Sequence, residues 1–80
     1  MSTFHLVIAT VGEALYDNAA SSVTLPGSDG EFTVLANHEP FVTTLKPGTI
    51  RVKNDEKAEQ EFQVPGGVVE CANSRVTVLL

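Results

Sequence analysis

Apolar and polar residues alternate with a period of two along most of this chain, the spacing of strands that bury one face. Residues 3–11 read as an opening strand. Phe4, Leu6 and Ile8 share one face, and His5, Val7 and Ala9 take the other. Val7 and Ala9 are apolar too, which predicts partial cover for the second face. Gly12-Glu13 is a turn, residues 14–16 a short strand, and Asp17-Asn18 predicts a further turn. Residues 20–25 form a third strand, with Ser21, Val23 and Leu25 on one face. Pro26, which has no backbone donor, is expected to end it.

Ser28-Asp29-Gly30-Glu31 predicts a tight hairpin turn centred on Asp29-Gly30. Residues 32–35 follow as a strand, 37–40 as a loop, and 42–45 as a strand that stops at Pro47-Gly48. Residues 49–53 place Ile50 and Val52 inside and Arg51 and Lys53 outside. The polar run 54–60 fits a hairpin loop better than a short helix. Residues 61–64 turn Phe62 and Val64 inward, and Pro65-Gly66-Gly67 breaks the pattern. Residues 68–71 are a strand, 72–74 a turn, and 75–80 a closing strand with Val76, Val78 and Leu80 on one face. No window sustains a 3.6-residue repeat. Eight to ten short strands at this spacing predict an all-β fold, a sandwich or a barrel.

Eighty residues make a single domain, 1–80. A chain of this size buries only about 60% of its unfolded surface, so support from a partner is expected. The lone cysteine, Cys71, excludes an internal disulfide. In an apolar strand it reads as a buried structural thiol. No run approaches the ~18 apolar residues of a membrane span, and the opening Met-Ser-Thr-Phe-His has no signal-peptide character. The expected compartment is therefore cytoplasm-like. The net charge of −5 lies wholly in residues 1–45. They hold Glu13, Asp17, Asp29, Glu31 and Glu39 and no lysine or arginine, whereas the remainder is balanced. That sign argues against nucleic acid and anionic lipid as partners. It leaves a basic protein surface, or simple solubility.

Catalytic and metal motifs are missing. Ser21, Ser22, Ser28 and Ser74 sit in no nucleophile-elbow context. His38, between Asn37 and Glu39, is more often a loop or contact residue than a base. His5, His38 and Cys71 lack zinc-ligand spacing. Asp29 and Glu31 around Gly30 lack the alternating oxygens of a calcium loop. Gly66-Gly67 lacks the helix and lysine of a phosphate loop. No catalytic, cofactor or metal site is expected, and polar residues on the 28–31 turn are ordinary for a hairpin tip.

Four elements in order resemble the N-terminal domain of the ATP synthase epsilon-subunit family. Phe4-His5-Leu6 opens the first strand. Residues 25–48 carry Pro-Gly, Gly-Glu, His-x-Pro and Thr-Thr-Leu-Lys-Pro-Gly elements. Phe62 precedes Gly66-Gly67-Val68-Val69-Glu70, and Asn73-Ser74-Arg75-Val76-Thr77-Val78-Leu79 closes the match. The resemblance covers essentially the whole chain. It implies a two-layer sandwich of about ten strands and a non-catalytic rotor subunit of the central stalk, coupling ion-driven rotation to ATP synthesis. It also implies a peripheral place on the cytoplasmic face of a bacterial plasma membrane, or on the stromal side of a thylakoid.

Carried over residue by residue, the resemblance implies contacts with the gamma subunit at Thr10, His38, Glu39, Pro40, Phe41, Val42 and Thr43. It implies contacts with the polar loops of the membrane c-ring at Ser28, Asp29 and Glu31, whose charge would complement basic loops. Contact with the membrane is then only indirect. Family members usually continue into two C-terminal helices. This sequence ends at Leu80, so the inhibitory role and nucleotide site of those helices are not assigned to it. Two other readings stay open: a free-standing β-sandwich interaction module, and a small enzyme using His38 with Glu39 or Glu31, which would need a pocket of convergent groups.

Overall fold

A computed structural model describes residues 2–54 and 58–80. Their strands are β1 (Phe4–Ala9), β2 (Ala14–Ala20), β3 (Ser22–Gly27), β4 (Gly30–Leu35), β5 (Phe41–Leu45), β6 (Gly48–Lys53), β7 (Glu59–Val64), β8 (Gly67–Ala72) and β9 (Arg75–Leu79). No helix forms among the described residues. Of the polar run 54–60 expected as a loop, residues 55–57 lie outside the described residues, and Glu59 and Gln60 belong to β7, paired with Lys53 and Val52 of β6.

Pairing divides the strands into two groups. One runs β2-β1-β9-β8-β5 and the other β4-β3-β6-β7. They meet in a single ladder pair, Gly27 with Leu45. Every pairing is antiparallel except β1 with β9. Aromatic contacts fix how the groups stack. At one edge Tyr16 of β2 lies over Phe62 of β7, with ring centres 6.3 Å apart. At the other, Phe41 of β5 lies over Phe32 of β4 at 5.7 Å. The result is the two-layer sandwich expected, a five-stranded layer facing a four-stranded one.

The alternating pattern fills the space between the layers. Leu6, Ile8, Val69, Val76 and Val78 of the larger layer meet Val23, Leu25, Val34, Ile50 and Val52 of the smaller, each at most 1% exposed. Valine and isoleucine dominate because their branched Cβ packs well on a pleated surface. No polar or charged described residue is buried.

The structure also departs from the sequence expectations at Asp17-Asn18, at Pro26 and at the β3–β4 hairpin. Asp17-Asn18 is not a turn. Both residues stay in β2, paired with Val7 and Leu6 of β1, because ladder pairing outweighs local turn preference. The chain instead crosses between layers at Ser21, whose N–H donates to the Lys53 carbonyl at 2.7 Å. Pro26 does not end its strand. It pairs opposite Glu31, and its carbonyl accepts from Lys46 N–H on the far side. N–H and C=O of one strand residue point the same way, so the donor that proline lacks is not missed by the β3–β4 ladder. Finally, the hairpin closes on Gly27 and Gly30, so its two-residue loop is Ser28-Asp29, one residue earlier than expected. Gly30, at φ 134°, flanks the loop in a conformation suited to glycine.

Candidate functional site

The two outer faces of the sandwich differ in chemistry. On the smaller layer, Thr33, Thr24, Arg51 and Glu61 follow one another in register across β4, β3, β6 and β7. The Thr24 and Thr33 hydroxyls lie 2.9 Å apart. Arg51 reaches Glu31 at 3.4 Å and Glu61 at 3.5 Å. This face is mainly polar: Arg51 pairs with two of its carboxylates, and Leu35 of β4, 56% exposed, is its large apolar side chain.

The larger layer presents a different surface. One row across it reads Ala9, Leu79, Val68 and Thr44. The next reads Asp17, Val7, Thr77, Glu70 and Val42. Leu79 is 57% exposed, Val68 41% and Val42 67%. An apolar stripe therefore runs from β1 to β5. The charges on these two rows are acidic, Asp17 and Glu70, and Asp17 bonds His5 Nε2 at 2.5 Å. A contiguous exposed apolar patch with a polar rim marks an interaction surface.

At the β4/β5 edge the layers part around a shallow cavity of about 200 Å3. Gly27, Ser28, Asp29, Gly30, Phe32, His38, Phe41 and Thr43 line it. Ser28 ties the hairpin tip to β5: its N–H donates to the Thr44 carbonyl at 3.1 Å, and its hydroxyl lies 2.7 Å from that of Thr44.

The residues expected at a partner surface are thus placed as follows. His38, Phe41 and Thr43 line the cavity with Ser28 and Asp29, so the two expected contact sets are adjacent at this edge. Glu39 and Pro40 are exposed on the loop before β5, and Val42 faces outward on the apolar side. Thr10 is not among them. It follows the end of β1, three strands from β5, where its N–H donates to the Glu13 carbonyl at 2.8 Å. The stripe of Ala9, Leu79 and Val68 is what joins Thr10 to the β5 edge. Glu31 points to the opposite, polar face, where Arg51 already engages it.

Sequence reasoning missed Val68 and Leu79 as surface residues. Their signal was present in Val68-Val69 and Val78-Leu79-Leu80, where adjacent apolar residues break the alternation. In a strand such neighbours must face opposite sides. Ser28, Asp29 and His38 share the cavity lining, with the Ser28 hydroxyl 2.7 Å from that of Thr44. Cys71 is buried, and burial pushes its thiol pKa up, away from the reactive thiolate. Tyr16 is likewise pushed up by burial, and its hydroxyl donates to the Ala19 carbonyl at 2.7 Å. Among the described residues no group of three potential metal ligands comes together.

Comparison with known proteins places this geometry in context. Residues 3–80 match the family model described as ATP synthase, Delta/Epsilon chain, beta-sandwich domain. The ATP synthase epsilon chain of Sulfurimonas denitrificans is 40% identical over 80 residues, all of this chain and 62% of that protein. The ATP synthase epsilon chain of Bordetella avium is 34% identical over 79 residues, 99% of this chain and 56% of that protein. The chain therefore spans little more than half the length of the curated relatives it matches. In fold it is similar to a chain of the Euglena gracilis mitochondrial ATP synthase OSCP/F1/c-ring assembly. The TM-score is 0.92 at 22% identity, covering 99% of this chain and 51% of that one. A chain of the Tetrahymena thermophila mitochondrial ATP synthase central stalk and c-ring gives a TM-score of 0.76 at 15% identity, covering 94% and 60%.

Proposed function

The chain belongs to the family of ATP synthase Delta/Epsilon β-sandwich domains, and from that premise we propose that it serves as a non-catalytic central-stalk domain of an F-type ATP synthase. It would link the gamma subunit to the c-ring and couple ion-driven rotation to ATP synthesis, as a peripheral part of a membrane-bound complex on its cytoplasmic or stromal side. The observation that carries the reading is the asymmetry of the two outer faces. On the smaller layer Arg51 pairs with Glu31 and Glu61 and Leu35 is the exposed large apolar side chain, whereas the larger layer exposes Leu79 and Val68 side by side, with Val42 diagonal to Val68 on the next row.

That stripe suits the long-lived contact a rotor needs, since a stable interface buries an apolar core within a polar rim. We assign it to gamma, together with Thr10 at one end and the segment 38–43 at the other. The Ser28-Asp29 tip is assigned to the c-ring. Asp29 makes no ion pair with a described residue and keeps its charge for a basic loop. Glu31 shares its charge with Arg51 and contributes less. Transmission of torque needs only that both contacts sit on one rigid body, and the layers share a single continuous core.

The test is reconstitution. An ATP synthase depleted of its own epsilon subunit is expected to regain ion-driven ATP synthesis when this chain is added. Failure of the folded chain to associate with the depleted complex would contradict the proposal.

A further inference from the structure

The strands at the borders of the two layers treat their free edges differently. On β2, Ala19 is satisfied by its own neighbours. Its N–H donates to Asn18 Oδ1 at 2.8 Å, and its carbonyl accepts from the Tyr16 hydroxyl at 2.7 Å. The far side of β5 is met by β3 and its tip, where Ser28 N–H donates to the Thr44 carbonyl and Lys46 N–H to that of Pro26. The edge strand β7 carries Glu59 and Glu61, and such charge discourages the addition of another strand. The edge of β4 has none of these devices. Its one acid, Glu31, is held by Arg51 at 3.4 Å.

The phase of the β3–β4 ladder fixes which groups of β4 face outward. Pro26 sends its carbonyl away from β4, to Lys46. Glu31 lies opposite Pro26, so its N–H and C=O likewise turn away from β3. Antiparallel pairs alternate in this respect, and Thr33 and Leu35 therefore turn outward with it. All three residues are exposed, and β4 pairs with β3 alone. Their backbone groups meet no partner among the described residues. A row of unpaired strand groups is what an added strand requires.

We propose that β4 pairs antiparallel, about a two-fold axis, with β4 of a second copy of this chain. One register uses every outward group. It places Thr33 opposite Thr33 of the second copy and Glu31 opposite its Leu35. Sliding the pairing by two residues leaves either Leu35 or Glu31 unmatched. In this register no like charges face each other. The Thr24–Thr33 hydroxyl contact of 2.9 Å is repeated on both sides of the axis. On the inner side Phe32 lies opposite Val34 of the second copy, an aromatic pair with a branched side chain. The contact is self-complementary and closes at two copies, because each β4 has one free edge. Continuing the register brings the Ser28-Asp29 tip toward residues 37 and 38 of the second copy. On the rotor reading, the pair and the assembled complex would then exclude each other, and only this consequence rests on that reading.

The pairing is tested on the isolated chain. Sedimentation over rising concentration is expected to show a reversible monomer–dimer equilibrium. Each copy carries a net charge of −5, so added salt should strengthen the dimer, whereas a contact with a basic partner would weaken. Amide exchange followed by NMR should slow with concentration at Glu31, Thr33 and Leu35, while Phe32 and Val34, bonded to β3, stay equally protected throughout. Thr33→Pro removes an outward donor that β3 does not use. It should weaken the dimer roughly five- to hundredfold, the range of two lost hydrogen bonds. Thr33→Lys, which sets like charges opposite each other across the axis, should weaken it too and keeps the test sound should the proline variant not fold. Gln63→Lys on β7 should leave the dimer unchanged. A chain that stays monomeric at every concentration and salt, a dimer that persists in folded Thr33→Lys, or concentration-dependent protection confined to other strands would each overturn the proposal.

Discussion

Gly27 carries more of this structure than its size suggests. It closes the β3–β4 hairpin, makes the one ladder pair between the two layers, and leaves room for the Phe32 ring. Gly27→Ala is expected to lower stability by about 1–3 kcal/mol, the usual cost of overpacking a fitted site. A denaturant midpoint unchanged from the parent chain would show that the ring yields freely. Two further residues set the response to alkali. Burial raises the pKa of Cys71 above its ordinary 9.0 and that of Tyr16 above its ordinary 10.0. Both groups are neutral when protonated, and the unfolded chain releases their protons first. Their contribution to stability is therefore complete below the unfolded values and is lost as pH rises through and beyond them. Denaturation midpoints should fall progressively above a pH of about 9, more steeply in the parent chain than in Cys71→Ala measured against its own neutral value.

At the scale of elements, the strands most legible in the sequence are those whose alternate apolar residues are buried. Phe4, Leu6 and Ile8 in β1, Ile50 and Val52 in β6, and Val76 and Val78 in β9 are all inward. What local pattern could not supply was which strand neighbours which. Asp17-Asn18 looked like a turn because these residues favour turns in isolation, yet β1 holds them in a ladder. Pro26 looked like a terminator because the side its missing donor faces is a property of the assembled sheet. The candidate site was legible only in part. The resemblance supplied Ser28, Asp29 and residues 38–43, but the meeting of Ser28, Asp29, His38, Phe41 and Thr43 around one cavity depends on the stacking of β4 over β5. The same logic bears on Glu31. Its exposed ion pair with Arg51, which reaches across β3 from β6, means that Glu31→Lys would replace an attraction by a repulsion, destabilising by about 0.2–1 kcal/mol. Glu31→Gln should stay within about 0.5 kcal/mol of the parent. Chemical denaturation of the two variants separates these outcomes. A charge-reversed variant that loses partner binding would then be read against its own lower stability.

For the whole molecule, the central claim is that the larger layer's outer face docks gamma while the smaller layer's does not. Calorimetric titration of the chain into its cognate gamma subunit tests this most directly, using three variants that each keep the core intact. Leu79→Asp places a charge in the apolar stripe, Thr43→Arg alters the β5 edge, and Thr24→Asp adds a charge to the polar face. The account predicts submicromolar binding by the parent chain and by Thr24→Asp, and loss of binding in Leu79→Asp and Thr43→Arg with folding retained. No binding by the folded parent chain, or loss in Thr24→Asp with Leu79→Asp unaffected, would contradict it.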